Sequence, residues 1–242
     1  MAIRPRIYTS DSLILNSRLD LDSQASTHLV KVLRLKEGAE LRLFNGDGCE
    51  YLAHITVAGK KNTQIEVTDI LSTESKISLP LHLGQVVSKG DRMDFTIQKA
   101  TELGITDITP LWSERCDVRL KGERLEKKME HWKKVAISAC EQSGRNSVPT
   151  LHPPMIYHDW AQVVESDIKL VLHTRDQKPL AEIQSPSSIA LLVGPEGGIT
   201  DEEIELCIQN GFTGLTLGPR ILRTETAALA ALSLFQYVWG DF

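Results

Sequence analysis

The feature that most constrains the fold is an alternation, beyond residue 80, between short apolar runs and segments with helical spacing. The run Ile-Ala-Leu-Leu-Val at 189–193 has the length of a buried strand, and the pattern at 201–209 is helical. Alternation of this kind is typical of a parallel β-sheet with helices on both faces. We therefore predict an α/β domain over the larger part of the chain.

Local patterns place the elements of this domain. Strands are predicted at 81–87, 105–111, 170–172, 189–193 and 215–217, and helices at 91–103, 120–140, 201–209 and 225–238. Thr200 and Glu203 have the spacing of a capping box, which predicts that a helix begins after Thr200.

The first seventy residues show short alternating strands instead. Strands are predicted at 41–44, 51–57 and 64–68, with a turn at Asn-Gly-Asp-Gly, 45–48. A helix at 26–35 would place His28, Lys31 and Arg34 on one face. We predict a small barrel-like β module at 1–72, a polar linker near 71–76, and the α/β domain at 73–242.

The net charge of −5 argues against a nucleic-acid partner when it is taken alone. The distribution of charge changes that conclusion. Residues 146–242 contain five Lys and Arg against twelve Asp and Glu, whereas residues 76–145 contain thirteen against ten. Because the acidic excess is concentrated in the last third, an RNA-binding face elsewhere is permitted but not required.

The cysteines and the apolar runs exclude several classes of protein. The four cysteines are dispersed, without a Cys-x-x-Cys pair or clustered histidines, which disfavours a zinc site or a disulfide framework. We predict reduced thiols and no metal. The start lacks the apolar core of a signal peptide, and no apolar run reaches the roughly 18 residues that span a bilayer. A cytoplasmic protein without a membrane partner is expected.

A glycine-rich loop at 194–198 follows one predicted strand and precedes a helix. Ligands bind in such loops of parallel α/β sheets, and glycine lets the backbone approach a ligand closely. The loop matches neither G-x-G-x-x-G nor a P-loop, which disfavours a dinucleotide or a triphosphate. A plain strand-to-helix turn is the alternative interpretation of this loop alone.

A second loop, from residue 217, leads into the last predicted helix. Thr224 is placed to cap this helix, and Glu225 lies in its first turn, where the helix dipole favours a carboxylate. Arg220 and Arg223 lie near the same positive helix end, where structure alone would not favour cations. They suggest an anionic partner such as a phosphate.

The two loops together carry a resemblance to a known family. Leu-Val-Gly-Pro-Glu-Gly-Gly at 192–198, paired with Leu-Gly-Pro-Arg-Ile-Leu-Arg-Thr-Glu-Thr-Ala at 217–227, resembles the cofactor-binding signature of SPOUT-class methyltransferases. More narrowly, the chain resembles the RsmE family, which methylates N3 of a uridine in 16S ribosomal RNA. This resemblance covers essentially the whole chain, in order, through further matching segments at 6–8, 28–34, 85–90, 97–104 and 141–146.

The resemblance implies an N-terminal PUA-like β-barrel module that holds RNA, and a C-terminal SPOUT domain with a deep trefoil knot. It implies a homodimer that binds S-adenosylmethionine among three loops and acts on 16S ribosomal RNA within the small ribosomal subunit. By matching position, the cofactor-binding residues are Leu172, His173, Leu192, Val193, Gly194, Glu196, Gly197, Gly198, Leu217, Gly218, Leu222, Thr224 and Ala227.

The implied chemistry requires a base and a cation. N3 of uridine is a weakly acidic imide that must lose its proton before it attacks a sulfonium. We expect Arg223 to stabilise the uracil anion or to orient a phosphate. Glu225 or Glu196 would be the base, although the helix dipole explains Glu225 equally well.

RNA-binding residues are expected in both parts of the chain. An Arg-Asn pair at 145–146 suits phosphate and base contacts, although a helix end followed by a loop would also explain this region. The cluster at 28–34 could equally be a solvated helix face. The predicted RNA-binding residues are Arg6, His28, Lys31, Arg34, Lys89, Gln142, Arg145, Asn146 and Arg220.

Three alternatives stay open at this point. Another SPOUT enzyme, acting on transfer RNA or a different ribosomal site, is disfavoured by the extent of the resemblance. A non-catalytic RNA-binding factor with the same fold is disfavoured because both cofactor loops are intact. A nucleotide-dependent oxidoreductase is disfavoured by the missing dinucleotide fingerprint.

Overall fold

The computed structural model describes residues 4–74, 78–116, 120–173 and 180–242, so the first three residues and positions 75 and 76 of the predicted linker lie outside it. The chain forms two compact units, one of residues 1–76 with 140–148 and the other of residues 77–139 with 149–242. The first unit thus combines two separate stretches of chain, which a single boundary near residue 72 does not anticipate.

The first unit is built on a five-stranded sheet in the order β1-β3-β4-β5-β2. Its strands are β1 (Arg6–Tyr8), β2 (Arg18–Leu21), β3 (Glu40–Phe44), β4 (Cys49–Val57) and β5 (Thr63–Thr73). β1 runs parallel to β3, and the other pairs are antiparallel. Alternate side chains such as Leu41, Leu43 and Ile65 are fully buried.

Two expectations for this unit are wrong. Leu71, Ser72 and Thr73 belong to β5 rather than to a linker, because β5 continues its pairing with the start of β4. The predicted helix at 26–35 is instead a short α1 (Ser23–Thr27) followed by one π-helical turn (His28–Val32). Arg34 lies beyond that turn at φ 55°. It therefore does not share a regular helix face with His28 and Lys31.

The second unit is a seven-stranded sheet whose hydrogen-bonded pairs are all parallel among the described residues. The strands are β6 (Leu81–Val86), β7 (Asp107–Trp112), β8 (Thr150–Leu151), β9 (Met155–Ile156), β10 (Ile168–Leu172), β11 (Ile189–Val193) and β12 (Phe212–Leu215). The order is β12-β10-β11-β6-β7-β8, with β9 also paired to β7. The predicted α/β class is confirmed.

Among the described residues, the α-helices that accompany this sheet are α2 (Arg92–Glu102), α3 (Glu123–Ser143), α4 (Tyr157–Val163), α5 (Asp201–Gln209) and α6 (Thr224–Trp239), and Leu180–Glu182 form a 3-10 helix. The last turn of α3 belongs to the first unit. The Thr200–Glu203 capping box at the start of α5 is present as predicted. None of the described helices is long and apolar enough to cross a membrane.

The four adjacent strands β12, β10, β11 and β6 place their carboxyl ends at one edge of the sheet, because they are parallel neighbours. β12 ends at Leu215, which is paired with Leu172, the last residue of β10. The predicted strand at 215–217 is therefore placed too late in the chain, because β12 is Phe212–Leu215 and Thr216 and Leu217 begin the following loop. The loops that carried the sequence signal start together at this edge.

Candidate functional site

The two glycine-containing loops are joined by one threonine. Thr224 Oγ1 donates a hydrogen bond to the Gly194 carbonyl at 2.6 Å and accepts one from Gln85 Nε2 at 3.0 Å. Thr224 is buried, and Gln85 is completely buried near the end of β6. These two hydrogen bonds thus hold the end of β6, the loop after β11 and the start of α6 together.

This position of Thr224 corrects a prediction. The N-cap residue of α6 is Arg223, whose extended backbone precedes the helix and whose side chain makes no capping bond. Thr224 is the first helical residue, and its hydroxyl serves Gly194 and Gln85 instead of the helix end. Glu225 lies in the first turn, as expected.

Close packing explains the glycines of the first loop. A Cβ at Gly194 would lie 2.5 Å from Cγ1 of Ile199, and a Cβ at Gly197 would lie 3.3 Å from Cβ of Arg115. Gly198 has a φ of 74°, a conformation that other residues rarely adopt. The Gly197 carbonyl also accepts a hydrogen bond from Arg115 at 3.1 Å. Larger residues at these positions would displace the loop.

A charged cleft of about 720 Å³ lies beside these loops in the second unit. It brings together the three predicted catalytic residues, Glu196, Arg223 and Glu225. Its remaining lining residues are Lys89, Gly90, Asp91, Arg92, Phe95 and Thr226. Segments that are far apart in the sequence therefore contribute to one site.

The two glutamates of this charged cleft have different partners. Arg92 Nη1 donates to Glu196 Oε1 at 2.5 Å, and Arg92 Nε lies 4.0 Å from Glu225 Oε1. The Glu225 side chain is 12% exposed, and its Oε2 atom is buried with no hydrogen-bond partner among the described residues. A buried carboxylate oxygen normally has a partner, so Glu225 Oε2 is available to accept a proton or a hydrogen bond from a ligand.

Helix α2, which supplies Arg92 and Phe95, is anchored to α3 through Asp94. Its carboxylate accepts hydrogen bonds from Lys128 at 2.8 Å, from His131 and from Trp132 Nε1 at 2.9 Å. Burial alone would raise the pKa of Asp94, but these donors outweigh it and hold the pKa below its usual value. The start of α2 is therefore fixed beside the charged cleft.

A second, more apolar cavity of about 560 Å³ adjoins the charged cleft, since Thr226 lines both. Its lining residues are Leu180, Leu215, Thr216, Leu217, Gly218, Arg220, Leu222, Thr226, Ala230, Ser233 and Leu234. The volume lies within the range of ligand pockets, and aliphatic walls with loop backbone suit the flat faces and polar edges of an adenine. We call this the aliphatic cavity.

The predicted cofactor residues divide into three groups. Leu217, Gly218 and Leu222 line the aliphatic cavity directly. Leu172 ends β10 and His173 follows it, and the His173 carbonyl accepts a hydrogen bond from Thr216 Oγ1 at 3.2 Å.

The residues of the third group do not line the aliphatic cavity. Leu192 and Val193 are buried strand residues of β11, and Ala227 is half-buried in the first turns of α6. Glu196 lines the charged cleft rather than the aliphatic cavity, and Gly194 contacts Thr224. Their cofactor contacts stay predictions.

Two predicted RNA-binding residues are largely buried and make hydrogen bonds within the first unit. The Arg6 side chain is 9% exposed and donates to Glu50 at 2.6 Å, to the Cys140 carbonyl at 2.6 Å and to Asn146 Oδ1 at 2.5 Å. Asn146 is 3% exposed, and its backbone N–H donates to Glu74. These bonds hold residues 140–148 against β1, so both residues have a structural role that needs no RNA.

The other predicted RNA-binding residues are more accessible. In the first unit, His28, Lys31, Arg34 and Gln142 are exposed and Arg145 is half-buried. In the second unit, Lys89 lines the charged cleft and Arg220 lines the aliphatic cavity. An RNA contact at each stays a prediction.

Sequence reasoning missed several lining residues of the charged cleft, among them Arg92 and Phe95. A usable signal existed for Arg92, because it is a cation in the first turn of a predicted helix, where the dipole disfavours positive charge. Phe95 gave no comparable signal, since helical spacing identifies which residues of α2 face the core but not which exposed residue faces a cleft.

Comparisons with known proteins identify the family of this chain. Residues 74–236 match the model of an RNA methyltransferase domain, and residues 21–68 match that of an RNA methyltransferase PUA domain. The ribosomal RNA small subunit methyltransferase E of Buchnera aphidicola subsp. Acyrthosiphon pisum is 37% identical over 240 residues, covering 98% of this chain and 95% of the relative. The chain belongs to the ribosomal RNA small subunit methyltransferase E family.

Members of the ribosomal RNA small subunit methyltransferase E family share both sequence and fold with this chain. The Bacillus subtilis member is 34% identical over 221 residues, covering 87% of this chain and 86% of the relative. A crystal structure of the Neisseria gonorrhoeae member, bound to S-adenosyl methionine, is 42% identical with a TM-score of 0.94, covering 99% of this chain and all of that one. The predicted resemblance to this family is confirmed.

Proposed function

We propose that this chain transfers a methyl group from S-adenosylmethionine to N3 of a uridine in 16S ribosomal RNA of the small subunit. The observation that carries the proposal is the pair of adjoining cavities that share Thr226. One is aliphatic and suited to the cofactor, and the other holds a buried carboxylate oxygen without a partner beside an exposed arginine. The names of the relatives supply the substrate class, and the position N3 comes from the family resemblance.

The cofactor would lie against the loops that end β10, β11 and β12. Leu217, Gly218 and Leu222 would contact the adenosine, with the backbone of 172–173 and 194–198 offering polar groups. S-adenosylmethionine, when bound, supplies an electrophilic methyl group on a positively charged sulfur. Thr224 would act indirectly, by fixing Gly194 and the start of α6.

Glu225 is the better of the two candidate bases. Glu196 is already engaged by Arg92, whereas Glu225 Oε2 has no partner among the described residues. In this proposal the uracil N3–H donates to Glu225 Oε2 and passes its proton to that oxygen, which leaves a lone pair on N3 to form the new N–C bond. The bond that breaks would be the methyl–sulfur bond, whose electron pair stays on the sulfur. The protonated Glu225 carboxyl would release its proton to solvent after the product departs.

Arg223 would stabilise the negative charge that this proton transfer creates on the uracil oxygens. It lines the charged cleft next to Glu225, is exposed, and its side chain makes no capping bond with α6. A guanidinium presents several donors to such oxygens, and preorganised donors lower the energy of a developing anion. A phosphate of the RNA is the alternative ligand for the same group.

The finer architecture is part of the proposal. The C-terminal domain would have the deep trefoil knot of SPOUT enzymes, and the active form would be a cytoplasmic homodimer. What supports this is the family resemblance. The parallel order β12-β10-β11-β6 is a further support for the fold of the domain alone.

The proposed function is tested by transfer of labelled methyl from S-adenosylmethionine to small ribosomal subunits that lack their native modifications, followed by nucleoside mass spectrometry. We expect 3-methyluridine. Arg223→Ala should lower kcat by about 10²- to 10³-fold, as loss of one anion-stabilising donor does elsewhere. Arg124→Ala is the matched control, because Arg124 is exposed on α3 and lines neither cavity.

Each outcome has a distinct meaning. Cofactor binding without any methylated nucleoside would leave the family and fold but remove the proposed substrate. Full activity of the Arg223→Ala enzyme would remove the anion-stabilising role. A methylated base other than uridine would retain the enzyme class and overturn the assignment of N3.

A further inference from the structure

The ring of Phe95 is an exposed aromatic surface inside the charged cleft. Phe95 is 46% exposed and lies one helical turn after Arg92 on α2. The neighbouring apolar residues of the same helix, Met93, Ile97 and Ala100, are at most 1% exposed. The core contact of α2 is therefore made without Phe95, and the ring is not needed to hold the helix in place.

The surroundings of the ring indicate what would cover it. Lys89, Arg92 and Arg223 line the same cleft together with the carboxylates of Asp91, Glu196 and Glu225, so the ring is surrounded by charged groups of both signs. Arg92 is already paired with Glu196. An aliphatic protein segment would have to desolvate these charges, which is unfavourable. Single-stranded nucleic acids satisfy both features, because their phosphates pair with cations and their bases stack on aromatic rings.

The reaction itself creates a need for such a ring. The N3 atom of uracil lies on its pairing edge, so enzymes that modify such positions take the base out of its stack. Unstacking costs free energy, and an aromatic side chain can return part of it. This step rests on the proposed function, since it assumes that a uracil enters the charged cleft.

We infer that Phe95 is the stacking platform for the unstacked uracil, with Lys89 of the same cleft contacting an adjoining phosphate. The base would lie on the ring with its N3 edge toward Glu225, which lines the same cleft. Phe95 is thus a substrate-binding residue that contributes to affinity for the base rather than to proton transfer.

A binding experiment tests this without relying on methyl transfer. Phe95→Trp should place an indole at the same position, and stacking on a base quenches indole fluorescence. The full-length variant is titrated with a uridine oligonucleotide of about eight residues and with an abasic oligonucleotide of the same length, after subtraction of the wild-type signal. We expect quenching with the uridine oligonucleotide and much less with the abasic one. Equal changes with both, or with neither, would overturn the inference.

A kinetic experiment tests the same inference on small ribosomal subunits. Phe95→Ala should lower kcat/KM by about 5- to 150-fold, mainly through KM, which corresponds to the ~1–3 kcal/mol of one base–aromatic stack. Phe95→Leu keeps apolar bulk without an aromatic face and should resemble Phe95→Ala, whereas Phe95→Trp should retain activity. Cofactor affinity should stay unchanged. Ile208→Ala is the control, because Ile208 is 39% exposed on α5 and lines neither cavity.

The two experiments separate this inference from the proposed function. Base-dependent quenching without 3-methyluridine formation would support the stacking role and overturn the proposed reaction. Methyl transfer that is unaffected in Phe95→Ala and Phe95→Leu would leave the proposed function standing and overturn the role of Phe95.

Discussion

Two glutamates line the charged cleft, and at the scale of single residues their partners distinguish them. Glu196 accepts a hydrogen bond from Arg92, whereas Glu225 keeps a buried oxygen without a partner among the described residues. We expect Glu225→Gln to lower kcat by about 10²- to 10⁴-fold, the range for loss of a general base. Glu196→Gln should have the smaller effect. Single-turnover methyl transfer with saturating cofactor measures both.

The isosteric change at Glu225 requires a stability control, because its carboxylate also lies in the first turn of α6. Loss of that charge should cost only about 0.3–1 kcal/mol through the helix dipole, so the variant should remain folded in a thermal melt. If Glu225→Gln retained activity while Glu196→Gln lost it, the assignment of the base would be reversed.

At the scale of elements, Thr224 connects the start of α6 to the loop after β11 and to the end of β6. Thr224→Ala would leave the half-buried Gly194 carbonyl and the buried Gln85 amide without this partner, which should lower the free energy of unfolding by about 1–3 kcal/mol. Because the displaced loops form the proposed cofactor site, we also expect weaker binding of S-adenosylmethionine. Calorimetric titration and thermal unfolding measure the two effects.

Thr224→Ser is the matched variant, since it keeps the hydroxyl and removes only a methyl group. It should retain most of the stability and the cofactor affinity. If Thr224→Ser and Thr224→Ala behaved alike, the methyl group would be responsible and the hydrogen-bonded connection would not.

Sequence patterns were reliable for elements defined by local chemistry. The Thr200–Glu203 capping box and the strand at 189–193 occur as predicted, because each depends on neighbouring residues. Thr224 was predicted incorrectly as an N-cap, since its hydroxyl is taken by Gly194, a residue 30 positions away. The turn at His28–Val32 was missed because a helical pattern does not distinguish a π-helical turn from the α-helix it replaces.

At the scale of the whole molecule, the resemblance identified the family, whereas spacing alone could not show which segments come together. Arg6 lies in β1, yet its guanidinium holds residues 140–148 of the same unit. Pairing over such a distance follows from the folded chain and leaves no periodic signal in the sequence. For the same reason the sequence does not identify Arg92 and Phe95 as site residues. Only the folded chain brings them together with the loops after β6 and β11 and the start of α6.

The distribution of charge over the molecule makes a prediction about RNA binding. With a net charge of −5, binding must depend on local cations, and Lys31 and Arg34 are two exposed ones in the first unit. If each contacts a phosphate, Lys31→Ala with Arg34→Ala should reduce the slope of log affinity against log salt by about 0.7–0.9 per contact. Binding to unmodified small subunits at several salt concentrations measures this slope.

The control for that slope must remove the same charge from the same unit. Lys60 and Lys61 are exposed in the turn between β4 and β5 and were not predicted to bind RNA. Their double alanine variant should leave the slope nearly unchanged, because a cation that releases no counterion from the RNA does not contribute to the slope. Equal losses in the two double variants would mean that the unit binds through its overall charge, whereas a loss confined to Lys31 and Arg34 would locate the RNA on their side of the sheet.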